Sequence, residues 1–570
     1  MDARIEEILG TAEQESLQAG KHGGNIGTRP ARIKRGCDRV SLFHRFATLF
    51  LLALSGLMVG DSPAVPGRVV SGPAVAARTA GPAGDRFVTF GWVSPPASLT
   101  TDARVAEMAE AGLTLAMPAW NDSGRREDNI ARLDFAAAHG LRCLLWDARF
   151  GRFETLDPSS AAGGALLDSI VADYRDRLAF FGYYLGDEPP RSIWPLLESI
   201  AGPLRQRDPA HPAWNNLLGR GSFVSRAAWE CHTRDYIAAL HPAVLCNDHY
   251  DFHLDGDVGL FVENVAGLAA MAREAGLPFW AIVQLVQHGP FRALTPGELA
   301  WQTSMLLAYG ARGIGYFTYW TPAPDTVWNW QPAIISHEGQ RSAWYPVVAG
   351  LNGRVRAAGE TLAGLTWLAT VHAGSTPPGG KPFVPEAVVG SVEGRAALGH
   401  FTDGHGVRHV LVANSDSLAA QQVALTLRGQ RRVWRLGGEA GEWRPVTTLS
   451  VPGGERVALD LEPGGLVLLR ISGPFSPLGA GRGPGLGVYP RPAHREVSLS
   501  VSGLGPGGHV EILDAGGRRV RSWRPGSDEA TLSWRGERDR GGSAPPGFYF
   551  IRAEDTEGVS VSRLEWLGSR

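Results

Sequence analysis

Lysine is nearly missing from this chain. Only Lys21, Lys34 and Lys381 stand among its 55 basic residues, a bias of coding composition that carries no functional reading. Net charge is also small: 55 basic against 57 acidic side chains leave −2 at pH 7, so no large field draws the chain toward nucleic acid or anionic lipid. Cysteine is scarce, with four in 570 residues and no C-x-x-C pair, which does not indicate a disulfide framework. Cys143 and Cys246 sit in apolar, strand-like runs and are expected to be buried free thiols. No H-E-x-x-H pattern occurs, and no apolar run reaches the roughly 20 residues of a membrane-spanning helix.

The run that comes nearest is Ala47 to Gly60, 14 residues preceded by Arg32, Lys34, Arg35, Arg39 and Arg45 and followed by small residues and prolines. A basic segment, a short apolar core and a small-residue stretch are the parts of a secretory leader, so residues 1–60 are read as an N-terminal extension with a signal peptide. The expected location is therefore outside the cytoplasm: extracellular, cell-surface or periplasmic. No cysteine follows closely enough for a lipid anchor. Glycine and proline together make about a fifth of the chain, a turn-rich globular composition below the roughly 25–30% of disordered sequences.

A length of 570 residues suggests roughly three to four domains of about 150 each. Residues 61–85 lack any period and read as a linker. From 86 to 366 short apolar runs alternate with amphipathic helical patterns, the signature of a parallel sheet. Eight strands are expected: Phe87 to Val93, Leu113 to Ala119, Arg142 to Asp147, Phe180 to Gly186, Ala213 to Leu218, Val244 to His249, Phe279 to Leu285 and Gly313 to Trp320. Eight such units over about 280 residues fit a (β/α)8 TIM barrel. A doubly wound sheet is disfavoured because Gly91-Trp92-Val93-Ser94-Pro95-Pro96 cannot cradle a pyrophosphate. The fold class is thus α/β, a barrel followed by two all-β sandwich domains: 367–472, then a Gly/Pro spacer at 473–487, then 488–570.

Active residues of such a barrel lie at the C-terminal ends of its strands. The fourth ends Tyr183-Tyr184-Leu185-Gly186-Asp187-Glu188-Pro189-Pro190, two adjacent acids beside aromatics, where repulsion and low dielectric raise a pKa toward general-acid use. Glu188 is the candidate acid and Asp187 its orienting neighbour; capping of the next helix or pairing with Arg191 is the plain structural reading. The sixth strand ends Asn247-Asp248-His249-Tyr250-Asp251-Phe252-His253. Its Asp, His and Tyr suit hydrogen bonds to sugar hydroxyls, while His249, Asp251 and His253 could instead form a metal site. The seventh offers Gln284 and Gln287 but no carboxylate, and Glu298 belongs to a capping box, Thr295-Pro296-Gly297-Glu298.

Thirteen of the 18 tryptophans fall between Trp92 and Trp367. Trp92, Trp120, Trp146, Trp320, Trp328 and Trp330 lie at or just past expected strand ends. Indole faces stack on the apolar faces of pyranose rings while the N–H reaches a hydroxyl; plugging the barrel mouth is the alternative.

At these residues the chain resembles secreted glycoside hydrolases of clan A, the β-galactosidase-like barrel group. The matching stretches are GYYLGDEPP (182–190), NDHYDF (247–252) and LAYGARGIGYFTYW (307–320). The resemblance implies an acid/base glutamate at Glu188, with Asp187 where the clan has asparagine. It also implies a nucleophile at the end of the seventh strand, where this chain has glutamine. A second carboxylate would then have to activate water from opposite, about 6.5–9.5 Å away rather than about 5–5.5 Å; Asp248 is the first candidate and Asp251 the second. Residues 510–520, Trp534-Arg535-Gly536 and Pro546 to Phe550 are similar to the immunoglobulin-like domain named after the flagellar hook-capping protein, implying attachment at the cell surface or to secretion machinery.

The sequence thus points to an exported glycosidase without cofactor or resident metal, acting on carbohydrate and not on nucleic acid. Tyr184, His249, Tyr250, Gln284, Gln287 and the six tryptophans are its candidate substrate contacts. A non-catalytic carbohydrate-binding barrel and a metal-dependent hydrolase are the rival readings.

Overall fold

A computed structural model describes residues 87–119, 122–404, 406–437, 441–472, 485–489, 495–505, 507–526, 529–539, 541–555 and 558–568. The leader, residues 61–85 and Trp120 lie outside the described residues.

Eight parallel strands close into a barrel in sequence order: β1 (Val88–Trp92), β2 (Leu115–Ala116), β3 (Arg142–Leu145), β4 (Phe180–Asp187), β5 (Ala213–Leu218), β6 (Leu245–Asp248), β7 (Phe279–Gln284) and β8 (Gly313–Phe317). All eight expected strands are present. Most residues of these strands are apolar because one face fills the barrel and the other is covered by helices, with polar exceptions at Asn215 and Asn216 in β5 and at Asn247 and Asp248 in β6. The helices are α1 (Asp102–Glu110), α2 (Arg126–Ala138), α3 (Ala161–Tyr174), α4 (Trp194–Arg207), α5 (Arg226–Leu240), α6 (Phe261–Ala275), α7 (Pro296–Ala308) and α8 (Trp344–Ala363). Thr101, Ser160 and Ser225 cap α1, α3 and α5 through their hydroxyls. Thr295 and Glu298 close a reciprocal capping box at α7, satisfying two of its free amides. Helices α4 and α8 are not announced by the pattern: α4 carries Pro203 in its interior, and α8 is interrupted by glycines. Tertiary packing supports both against their low intrinsic propensity.

Large aromatics fill the barrel. Phe90, Phe181 and Trp280 meet with ring centroids 5.5–5.7 Å apart, and Trp214 adds to them at 6.3 Å from Trp280. Room for Phe90 comes from Gly315, where a Cβ would stand 2.4 Å from the Phe90 ring.

Residues 366–472 form two antiparallel sheets, of six and four strands, around a separate apolar core. The six-stranded sheet packs on α7 of the barrel: Ser304 Oγ donates to Gly464 O at 2.7 Å, and Thr370 Oγ1 to Ala308 O at 2.7 Å. Residues 485–566 form a second pair of sheets, of three and four strands, around Trp534 and Trp566. Its first strand begins at Gly485, inside the stretch read as spacer, because Leu486 and Val488, alternating with glycines, pack on this core. Cys143 and Cys246 are buried free thiols. Among the described residues no helix is long and apolar enough to cross a membrane.

Trp280 is fully buried among Phe90, Phe181 and Trp214. Trp280→Ala should destabilise the barrel by about 3–5 kcal/mol, measured as a lower midpoint of its transition in urea.

Candidate active site

In a regular strand Asp187 and Glu188 would point to opposite faces. The end of β4 departs from regularity in a way that changes this. Its register on β5 slips between Tyr184 and Gly186, Gly186 has φ +137° and Glu188 has φ +43°. A β-bulge followed by a left-handed residue re-aims side chains, and a non-glycine residue in that region is held there by its surroundings. Here the hold includes the Glu188 N–H, which donates to Asn216 O at 3.0 Å, and Asn215 Nδ2, which donates to Gly186 O at 3.0 Å.

Both acids consequently meet Asp248 from the end of β6. Asn216, on β5 between them and 2% exposed, donates through Nδ2 to Asp187 Oδ1 at 3.1 Å and to Asp248 Oδ1 at 2.9 Å. Glu188 hydrogen-bonds Asp248 side chain to side chain. Burial pushes Asp187 up to about 7, helped by the Asp248 charge and opposed by the Asn216 hydrogen bond. Burial again comes first for Glu188, followed by the charges of Asp248 and Asp187 and the bond to Asp248; together they hold its carboxyl well above the usual range. No cation contributes to either shift. Both acids keep some accessible surface, at the C-terminal end of β4 where the barrel opens.

Asp248 therefore stands beside Glu188 and not across from it, unlike the separated pair expected from the sequence. The strands facing β4, β5 and β6 across the barrel are β8, β1 and β2. The segment between β1 and α1 contains no acid, Asp122 after β2 is buried against Arg132 at 2.6 Å, and the exposed Asp325 after β8 accepts the amides of Val327 and Trp328 at 2.9 and 2.6 Å.

Aromatic side chains surround the cluster. Tyr184, Trp92 and Trp214 pack at 5.8–6.2 Å. Tyr184 feels the charges of Asp187 and Glu188, and Tyr250 those of all three acids with a hydrogen bond to Asp248; burial, the largest cause for each, raises both phenols. From Tyr250 a second wall runs through Phe317 at 5.2 Å and Phe291 at 5.3 Å, then His288, which stacks on Trp330 at 4.6 Å with Trp328 beyond. Burial pushes His288 down to about 4, so the ring is neutral near pH 7.

The remaining sequence candidates take other places. Asp251 is 5% exposed and receives the amides of Gly259 and Leu260 at 3.0 and 2.8 Å, with His249 Nε2 3.3 Å away. Burial raises its pKa, but these donors outweigh burial and the net shift is down. It is spent on the loop before α6. His249 is buried against Phe261, and His253 packs on Phe291. Among the described residues no three His, Cys, Asp or Glu converge to hold a metal. Gln284 is fully buried and bonds the backbone of Phe252 and Arg292 at 3.1 Å, which ties two loops together and leaves it no free donor for a sugar. Gln287 lines a separate cavity of about 420 Å³ with Leu285, Leu294 and Trp344, whose lining includes none of the three acids. Trp320 is buried under Arg104, and Trp146 packs on Gly124.

Asn216, Phe317 and His288 were not among the sequence candidates. Asn216 had a signal, two adjacent asparagines inside an otherwise apolar strand (AWNNLL), since a buried amide needs partners.

No family model matches the chain, and no curated relative matches it. Among solved structures it is similar to a glucosidase from Croceicoccus marinus, at 14% identity and TM-score 0.36 over 68% of this chain and 96% of that one. It is similar to a family 39 glycoside hydrolase from Bacteroides cellulosilyticus WH2, at 11% and 0.42 over 69% and 81%. A family 5 glycoside hydrolase from Bacteroides vulgatus ATCC 8482 matches at 11% and 0.45 over 68% and 89%.

Proposed function

We propose that the chain is an exported glycoside hydrolase that cleaves O-glycosidic bonds of an oligo- or polysaccharide, with Glu188 donating a proton to the leaving oxygen. The observation that carries the reading is a glutamic acid kept protonated by burial and two neighbouring carboxylates, on the floor of an aromatic-lined barrel mouth. A general acid has to hold its proton at the working pH and stand where a leaving group arrives. Asp248 accepts the hydrogen bond from the Glu188 carboxyl in the resting site. The Tyr250, Phe317 and Trp330 side chains offer faces on which a pyranose can stack. Export is supported by the basic and apolar run ending at Gly60, and surface attachment by the resemblance of residues 488–570 to an immunoglobulin-like export domain.

Glu188→Gln should lower kcat by about 10²–10⁴ on any glycan the wild type cleaves, read by reducing-end release across a glycan panel; undiminished turnover would remove Glu188 from the role. Retained glycan affinity with no turnover by the wild type would instead favour a binding barrel.

The charge on Asp248 raises the Glu188 pKa, so Asp248→Asn should lower it. The alkaline limb of the remaining activity then moves to lower pH, and a ¹³C-carboxyl titration of Glu188 should show the same displacement even if turnover is lost. An unchanged titration would contradict the contact between the two groups.

A further inference from the structure

The cluster gathers three carboxyl groups on one wall, while the acids after the facing strands, Asp122 and Asp325, are held by Arg132 and by the Val327 and Trp328 amides. A glycosidase with two carboxylates places them on opposite sides of the anomeric carbon, about 5 Å or more apart. Glu188 and Asp248 are hydrogen-bonded to each other, which leaves no space for a carbon between them. Asp248 is further engaged by Asn216 and Tyr250, and a carboxylate whose lone pairs are taken by donors is a weak nucleophile. Across the barrel, Asp122 is neutralised by Arg132, and Gln284 at the end of β7 is bonded to backbone. Asp187 meanwhile is a buried acid with no cation near it, an arrangement that costs stability and marks functional sites.

We propose that the attacking group is carried by the substrate: the mouth takes β-glycosides of 2-acetamido-2-deoxy sugars, whose amide oxygen attacks the anomeric carbon while Asp187 accepts the amide N–H and Glu188 protonates the leaving oxygen. This rests on the glycosidase reading above. The bond from C1 to the leaving oxygen breaks, its electron pair stays on that oxygen, and the Glu188 proton neutralises it. The amide oxygen forms the new bond to C1 and closes a five-membered ring, the charge on its nitrogen being balanced by Asp187. Water then attacks C1, gives a proton to Glu188, and the ring opens with its electron pair returning to the amide oxygen. One water is consumed, Glu188 regains its proton and no other reagent is needed. Asp187 thereby balances a positive charge that a 2-hydroxy sugar never develops at its C2 substituent, and Tyr184, with Trp92 packed on it, offers an apolar face near Asp187 for the acetyl methyl.

The test uses the full chain and matched substrates that differ only at C2: chitohexaose against cellohexaose, and aryl 2-acetamido-2-deoxy-β-D-glucosides and -galactosides against the parent β-D-glucosides and -galactosides. The acetamido member of at least one pair should turn over about 10² times faster or more than its hydroxy twin, the scale on which loss of an activated nucleophile is felt. Replacing its acetyl by trifluoroacetyl should slow it by about tenfold or more, because the amide oxygen is then a poorer nucleophile. Asp187→Asn should lose about 10² in kcat on the acetamido substrate. If hydroxy twins are cleaved as fast, or a 2-deoxy-2-fluoro glycoside labels Asp248 covalently, the substrate-borne nucleophile is overturned while the glycosidase reading stands. Cleavage confined, across a wider glycan panel, to sugars without an acetamido group overturns it in the same way. Cleavage of no glycoside at all overturns both.

Discussion

Three carboxyl groups share the floor of this barrel with one amide and no neighbouring cation. Burying charge of one sign is unfavourable unless protons or hydrogen bonds neutralise it, so the cluster must retain protons that isolated carboxylates lose. Asn216 is the hinge of this balance. Its single Nδ2 holds Asp187 and Asp248 in one orientation each, and Glu188 leans on Asp248 through a hydrogen bond from its own carboxyl proton. The chemistry proposed for the chain depends on that proton being present when a leaving group arrives.

The barrel makes the cluster possible by breaking its own rules at one strand end. Regular β geometry separates consecutive side chains, and the slip after Tyr184, with positive φ at Gly186 and Glu188, brings Asp187 and Glu188 to the same side. The irregular backbone is held by bonds from Asn215 and to the Asn216 carbonyl. Thus β5 supplies both the clamp on the backbone and the clamp on the side chains. Below this layer the interior is filled by Trp214, Trp280, Phe90 and Phe181. That excludes water from beneath and strengthens every electrostatic interaction above it.

Other polar groups around the mouth are used structurally. Asp251 receives the backbone ahead of α6, Gln284 ties two loops, and Glu298 starts α7 while pairing with Arg292 at 2.6 Å. These bonds stiffen the loops that carry Tyr250 and His288, and the Gln331 amide, donating to Gln287 O at 3.1 Å, ties the Trp328–Trp330 segment to them. The appended sheets reinforce the same side of the barrel through α7, where Ser304 and the Ala308 carbonyl are bonded to them.

The eight strands, the capping box at α7, the buried thiols and the concentration of acids after β4 were all legible along the chain, because they depend on local period, local capping and local hydrophobicity. Helix α4 was hidden by Pro203, which tertiary packing tolerates, and the strand at Gly485 by the glycines around its Leu486 and Val488. The site was legible only in part. Asp187, Glu188, Tyr184, Asp248 and Tyr250 come together at the cluster, whereas Asp251, Gln284 and Trp320 are claimed by neighbours distant in sequence. Sequence alone determined that acids and aromatics would crowd the strand ends of a closed barrel. Which acids bond one another, and that they share one wall, was decided by the bulge in β4 and by Asn216. Both are contacts between residues 29–32 apart, where electrostatics depends on distances that no one-dimensional spacing specifies.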